Sequence, residues 1–461
     1  MIKTKKNIKM SIRQLTTISL FLLLNISMLI LFPKEFRVDM LAYFSMIQLI
    51  INCITISIYC RKSIILILFL LFSWLFHCGQ IVKYGFNISG EVPLSFYSYG
   101  TDIDFLNAFA FYFMSQITLT IGCLMGFRKE YKERDIVGGV NPKRLAITLI
   151  IIGIIPRVYM DLSRLTAALQ NGYSGAYGLI FPSFFNTIAF MCDAGCFLLL
   201  YTNRQKKGNN LFFIVVALYK LLVMLSGMRQ NPVCFLIVWT IFYCWYIKKI
   251  NLVHKVLLCV IAFAVIIFID FIGSVRSTGF SFESLKECSM LLNGSLIGDT
   301  LGEFGSGFCS LVVAMHGFPE QVPFGYGKTY LAAIMASVPK LLDLFPALRE
   351  SITFTTLFSN TTYFGGSYLG EFYYNFSWLG TLCPLLVGYV VDKCQQVLAF
   401  SKNDVYIAWY AVLLIQLVLF IRGYIADMAQ TSIWLWCIIQ LYRLKALDKS
   451  KKFMGRIRNE E

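Results

Sequence analysis

The chain alternates long apolar runs with short charged connectors, and this pattern sets the first expectations. A spanning helix needs about 20 consecutive apolar residues. Twelve stretches meet that demand: 12–32, 40–60, 63–82, 104–127, 145–168, 180–201, 211–227, 231–247, 254–273, 371–391, 403–421 and 427–442. The first run follows Lys-Thr-Lys-Lys-Asn-Ile-Lys and lacks a small-residue cleavage site, so it reads as a retained helix. Most connectors are short. Residues 274–370 break the pattern as one long segment holding apolar stretches too short to span, such as Leu311–Met315 and Leu331–Leu342. These stretches predict interfacial or re-entrant helices packed on the outer face.

The distribution of basic residues orients the spans. With the N-terminus inside, the inner segments 1–13, 61–62, 128–144, 202–210, 248–255, 392–403 and 443–461 hold 28 of the 41 Lys and Arg. The positive-inside rule then puts both termini in the cytoplasm and the 274–370 segment outside. Four regions follow: nine spans over 1–273, a large periplasmic loop over 274–370, three spans over 371–442, and a basic cytoplasmic tail over 443–461. The expected fold class is an all-α polytopic membrane protein.

Composition agrees. Of 461 residues, 57% are hydrophobic and only 14% charged, against about 25% in a soluble domain. A water-soluble enzyme could not hide that much apolar surface. The net charge of +16 follows from topology, so no nucleic-acid partner is expected. The 14 Cys are scattered without a CxxC pair, and there are only 3 His, so neither a disulfide framework nor a metal site is expected. Cys288 and Cys309 are the two that share the long outer segment. GxxxxGK[ST], HExxH and GxSxG are absent, and no repeat relates the two halves, which argues against a transporter of inverted repeats.

The charges that topology leaves unexplained carry the candidate chemistry. Arg157 follows Pro156 inside the fifth span, and Arg229 lies in the tight turn Ser226–Pro232. Arg276 and Arg422 end spans, and Arg349 sits late in the long segment. Guanidinium forks match phosphate oxygens in bidentate fashion, so these five could form a diphosphate pocket; snorkelling or pairing with a nearby Asp is the plainer alternative. Glu303, His316 and Glu371 are candidate general bases, although a loop His is often structural and Glu371 could simply favour its helix N-terminus. His77 reads as a packing residue. Tyrosines crowd the outer side, at Tyr173, Tyr326, Tyr330 and Tyr374 among others. They suit an interfacial belt and also the apolar faces of sugar rings.

Several short motifs, in order, resemble the bacterial O-antigen polymerases of the Wzy type. They are Ile155-Pro-Arg157 with Asn171-Gly-Tyr173, Ser226-Gly-Met-Arg229, Gly273-Ser-Val-Arg276 and Glu303-Phe-Gly305. Val322-Pro-Phe-Gly-Tyr-Gly-Lys-Thr-Tyr330, Val338-Pro339 and Gly366-Ser-Tyr-Leu-Gly-Glu371 with Tyr374-Asn-Phe376 follow. Lys340 stands where the family pattern has Arg. The resemblance implies a glycosyltransferase-C-like membrane enzyme of the bacterial inner membrane, needing no cofactor. It would transfer a glycan en bloc from one undecaprenyl-diphosphate-linked oligosaccharide to another, with a chain-length regulator protein as a further partner. Arg157, Arg229, Arg276, Arg349 and Arg422 would bind diphosphate, and Glu303 or His316 would act as base. Tyr173, Tyr326, Lys328, Tyr330, Glu371, Tyr374 and Asn375 would bind sugar. An O-antigen ligase, a flippase for lipid-linked sugar and a membrane acyltransferase are the competing readings.

Overall fold

The structure, a computed structural model, describes residues 12–60, 63–88, 98–125, 141–179, 181–205, 208–227, 230–247, 298, 301–302, 304–338, 340–350, 354–357, 365–401 and 403–460. It is all-helical, with no strand among the described residues. The apolar runs form α1 (Ile12–Ile30), α2 (Val38–Tyr59), α3 (Ile64–Gly85), α4 (Asp102–Met125), α5 (Pro142–Gly178), α6 (Ser183–Thr202), α7 (Asn209–Met224) and α8 (Gln230–Tyr246). The long outer segment contributes α9 (Gly307–Gly317), α10 (Lys328–Ala336) and the short α11 (Pro346–Glu350). The chain ends with α12 (Tyr368–Phe376), α13 (Cys383–Phe400), α14 (Asp404–Ile421) and α15 (Ile425–Glu460).

Six stretches are long and apolar enough to cross a membrane: α2, α3, α4, Pro142–Asn171 of α5, Phe184–Thr202 of α6, and Tyr368–Phe400. The helix α7 and parts of α1 and α14 are apolar but shorter, at 16 or 17 residues. The expected span 254–273 lies outside the described residues.

Two expectations differ from the structure. The tenth span is not one continuous helix over 371–391. It is α12 and α13 joined by a 3-10 turn, Ser377–Leu382. Ser377 takes a left-handed φ of 52°, Pro384 opens α13, and a side chain at Gly380 would strike the Phe372 carbonyl. A regular helix cannot pass through these residues. The helix α15 runs on from the last expected span through the basic residues to Glu460. Finally, α9 does not lie on a surface. Gly307–Met315 is wholly buried against α3, α4 and α12, because nearly every residue there is small or apolar.

Close helix approach depends on glycine. A Cβ on Gly122 of α4 would hit the Leu385 carbonyl of α13, and one on Gly388 would hit the Leu119 carbonyl in return. Small residues let helix backbones meet where lipid supplies no hydrophobic drive. This crossing holds α13 against α4 in the bundle.

Candidate functional site

The site grows from the start of α12. Ser367 caps this helix by accepting from the Gly370 N–H at 3.2 Å. The buried His77 donates through Nδ1 to the Ser73 carbonyl at 2.9 Å, so its Nε2 accepts from the Ser367 hydroxyl, also at 2.9 Å. Gln116 donates to Ser73 Oγ, which also pairs with the Tyr368 hydroxyl at 2.8 Å. The packing role expected of His77 is therefore an anchoring one: α3 and α4 fix the register of α12.

Anchored this way, α12 gathers residues that are far apart in sequence. Glu371 is fully buried, and its Oε2 accepts the Ile425 N–H at 2.9 Å. That bond ties α12 to the turn between α14 and α15, where Arg422 lies beside Gly365. Asn375 accepts the Gly327 N–H at 3.0 Å and donates to Thr329 Oγ1 at 2.8 Å. The Gly325 N–H donates to the Tyr374 carbonyl at 2.8 Å. Tyr330 stacks on Phe376 with ring centroids 5.6 Å apart. Its hydroxyl and Glu371 Oε1 are buried without a hydrogen-bond partner. Burial, with Glu371 nearby, holds the Tyr330 hydroxyl well above its ordinary pKa, so it remains neutral. Tyr326, Lys328, Tyr330, Glu371, Tyr374 and Asn375, expected together from sequence, thus meet on α10, α12 and the turn before α10. Lys328 and Tyr326 are exposed.

His316 ends α9 on the same side of the bundle. Its Nδ1 lies 2.9 Å from Asp104 Oδ2 at the start of α4. The same oxygen accepts from the Thr101 N–H and hydroxyl, both at 2.8 Å. A carboxylate so held fixes the imidazole orientation, and the half-exposed ring leaves Nε2 for a reacting group. Two residues on, Phe318 packs its ring 4.5 Å from that of Tyr374. One aromatic layer therefore links the His316 segment to α12.

The arginines are not all gathered here. Arg157 sits mid-bundle, 3.0 Å from Asp161 and 3.5 Å from Asp193. Asp193 also takes Lys220 at 2.7 Å, and Tyr219 donates to Asp161 at 2.6 Å. These two cations and two anions are all buried, and the partly buried Arg164 also lies within electrostatic reach of Asp161. Arg349 is exposed and pairs with Asp343 at 3.4 Å. Arg229, Arg276, Glu303 and Cys288 lie outside the described residues, as does the side chain of Tyr173. Cys309, the other cysteine of the outer segment, donates to Gln80 Oε1 at 2.9 Å.

Sequence reasoning missed Asp104, Thr329, Asp161, Asp193 and Lys220. The signal for Asp104 was Thr101-x-x-Asp104, a capping pattern whose carboxylate oxygen also takes His316. Asp193 and Lys220 were visible as lone charges in apolar spans, where ionisable residues need partners.

The chain matches the family described as O-antigen polysaccharide polymerase Wzy over residues 15–447, nearly its whole length. No curated protein and no solved structure matches it. With its apolar helices, this makes the chain a multi-pass membrane protein that belongs to the O-antigen polysaccharide polymerase Wzy family, transferases that polymerise O-antigen.

Proposed function

We propose that the protein works at the periplasmic face of the inner membrane, with both termini in the cytoplasm. It joins repeat units carried on undecaprenyl diphosphate and moves the growing glycan en bloc onto a new unit. His316 is the base. Its Nε2 takes the proton of the acceptor hydroxyl as that oxygen attacks the anomeric carbon of the donor. The bond from that carbon to the diphosphate oxygen breaks, and its electron pair leaves with undecaprenyl diphosphate. Arg422, with Arg229 and Arg276, steadies the charge that develops there. The energy comes from the glycosyl–diphosphate bond, so the step requires no ATP.

The observation that carries this reading is the His316–Asp104 contact beside the aromatic layer of α12. The basic connectors lie at the opposite ends of α4 and α5, which favours a periplasmic site. In this reading Arg157 locks helices together, because Asp161 and Asp193 already match its charge.

The test is a strain lacking the gene, scored by lipopolysaccharide ladder. Wild-type chain restores long chains. His316→Ala, at equal abundance, leaves core bearing one repeat unit, with transfer reduced by about 10²–10⁴. A bare core in the deletion strain would instead mean ligation or flipping, and a full ladder from His316→Ala would remove that residue from the chemistry.

A further inference from the structure

The turn before α10 has an unusual residue in an unusual conformation. Tyr326 takes a left-handed φ of 48° and Gly327 follows at 88°. Glycine adopts such angles freely, whereas a bulky aromatic residue does so at a cost. A turn that only reversed the chain would be better served by Gly or Asn at both positions. The Tyr326 ring is also 81% exposed, so core packing does not compensate for the conformation.

The surroundings hold the turn in place. Gly325 donates to the Tyr374 carbonyl at 2.8 Å, and Lys328 donates back to the Gly325 carbonyl at 3.0 Å. Gly327 donates to Asn375 Oδ1 at 3.0 Å. The Asn375 amide cannot turn away, because its Nδ2 donates to Thr329 Oγ1 and to the Glu371 carbonyl, each at 2.8 Å. A Cβ on Gly325 would come within 2.5 Å of the Tyr374 ring, so the turn rests directly on it. Beneath Tyr326, Phe324 lies edge-on at 6.4 Å and packs on Phe318 and Tyr373 at 6.4 and 5.7 Å. This layer begins two residues after His316. Strain held by its surroundings in this way points to function.

We propose that the Gly325–Gly327 turn is a sugar-stacking platform. Tyr326 presents its face to the apolar C–H face of a hexopyranose in the bound glycan, and the buried Asn375 is its positioning residue rather than a sugar contact. The platform rests on the polymerase reading and adds to it a binding element for the carbohydrate, separate from the diphosphate.

The experiment uses the full chain in lipid nanodiscs. Its substrate is lipid-linked single repeat units extracted from a polymerase-deficient strain, and its binding probe is the oligosaccharide released from them by mild acid. Tyr326→Ala raises KM about tenfold, equivalent to about 1.4 kcal/mol of lost stacking, and leaves kcat within about twofold. Tyr326→Phe and Tyr326→Trp stay near wild type, while Tyr326→Leu behaves like Ala. Gly327→Ala raises KM similarly, although no neighbour lies within 4 Å of its added carbon, because it strains the turn alone. Asn375→Ala combined with Tyr326→Ala is no worse in KM than Tyr326→Ala. Saturation-transfer NMR of the free oligosaccharide shows contact with wild type and loses it in Tyr326→Ala.

An unchanged KM in Tyr326→Ala overturns the platform. So does a Tyr326→Ala chain that loses membrane insertion or heat resistance while its KM stays fixed, which would make Tyr326 a membrane anchor. Oligosaccharide contact that depends on Tyr326 in a chain that never polymerises would keep the platform and discard the polymerase reading.

Discussion

Asp193→Asn is the most instructive single change in the bundle. It removes one charge from a buried, neutral quartet of Arg157, Asp161, Asp193 and Lys220. The 2.7 Å contact to Lys220 represents about 6 kcal/mol of gross attraction at an effective dielectric of 20. Desolvation of each ion offsets several kcal/mol, so intact, the pair contributes little net stability. Cutting one partner is different. It strands Lys220 and leaves Arg157 with Asp161 alone, at a cost of about 3–5 kcal/mol. The assay is heat resistance of the purified full chain, followed by size-exclusion after a temperature series. Asp193→Asn and Lys220→Met should each lower the midpoint. The double variant, again neutral, should recover most of the loss. Singles as stable as wild type, or a double as poor as the sum of the singles, would refute a charge-balanced lock. The same variants test Arg157. A substrate-gripping guanidinium released from Asp193 would bind lipid diphosphate more tightly, and we predict no gain.

Two further outcomes are expected. Gly122→Ala should cost about 1–3 kcal/mol by forcing α4 away from the Leu385 carbonyl, read as reduced heat resistance, and full resistance would mean that crossing is loose. Glu371→Gln keeps an acceptor for the Ile425 N–H and should retain folding, whereas Glu371→Ala leaves that buried donor unpaired and should cost about 1–3 kcal/mol. Equal heat resistance of the two variants would remove the tie between α12 and the α14–α15 turn.

The sequence made the helical character legible because lipid imposes a simple rule: apolar runs of sufficient length. It also marked the residues that meet at α10 and α12, since Tyr326 to Tyr330 and Glu371 to Asn375 stood out as polar and aromatic clusters between apolar runs. Their meeting could not be read, because it depends on the Asn375–Gly327 bond, 48 residues apart in sequence. The break at Ser377 was hidden for a related reason. Hydropathy runs through it unchanged, and the break lies in backbone geometry, the left-handed angle at Ser377 and the close approach at Gly380, with Pro384 opening the next helix. The five arginines looked alike along the chain, yet burial and partners separate Arg157 in its neutral quartet from the exposed Arg349 and from Arg422 beside α12. Asp104 passed as a helix-start acid, since its second task, holding His316, spans 212 residues.

The most direct measurement uses purified chain in proteoliposomes supplied only with undecaprenyl-diphosphate-linked single repeat units. Wild-type protein should build a ladder of multi-unit glycan on lipid with no nucleotide present, and the His316→Ala protein should build essentially none. Units that remain single with well-folded wild-type chain, or a ladder from the His316→Ala chain at wild-type rate, would show that the chemistry lies elsewhere.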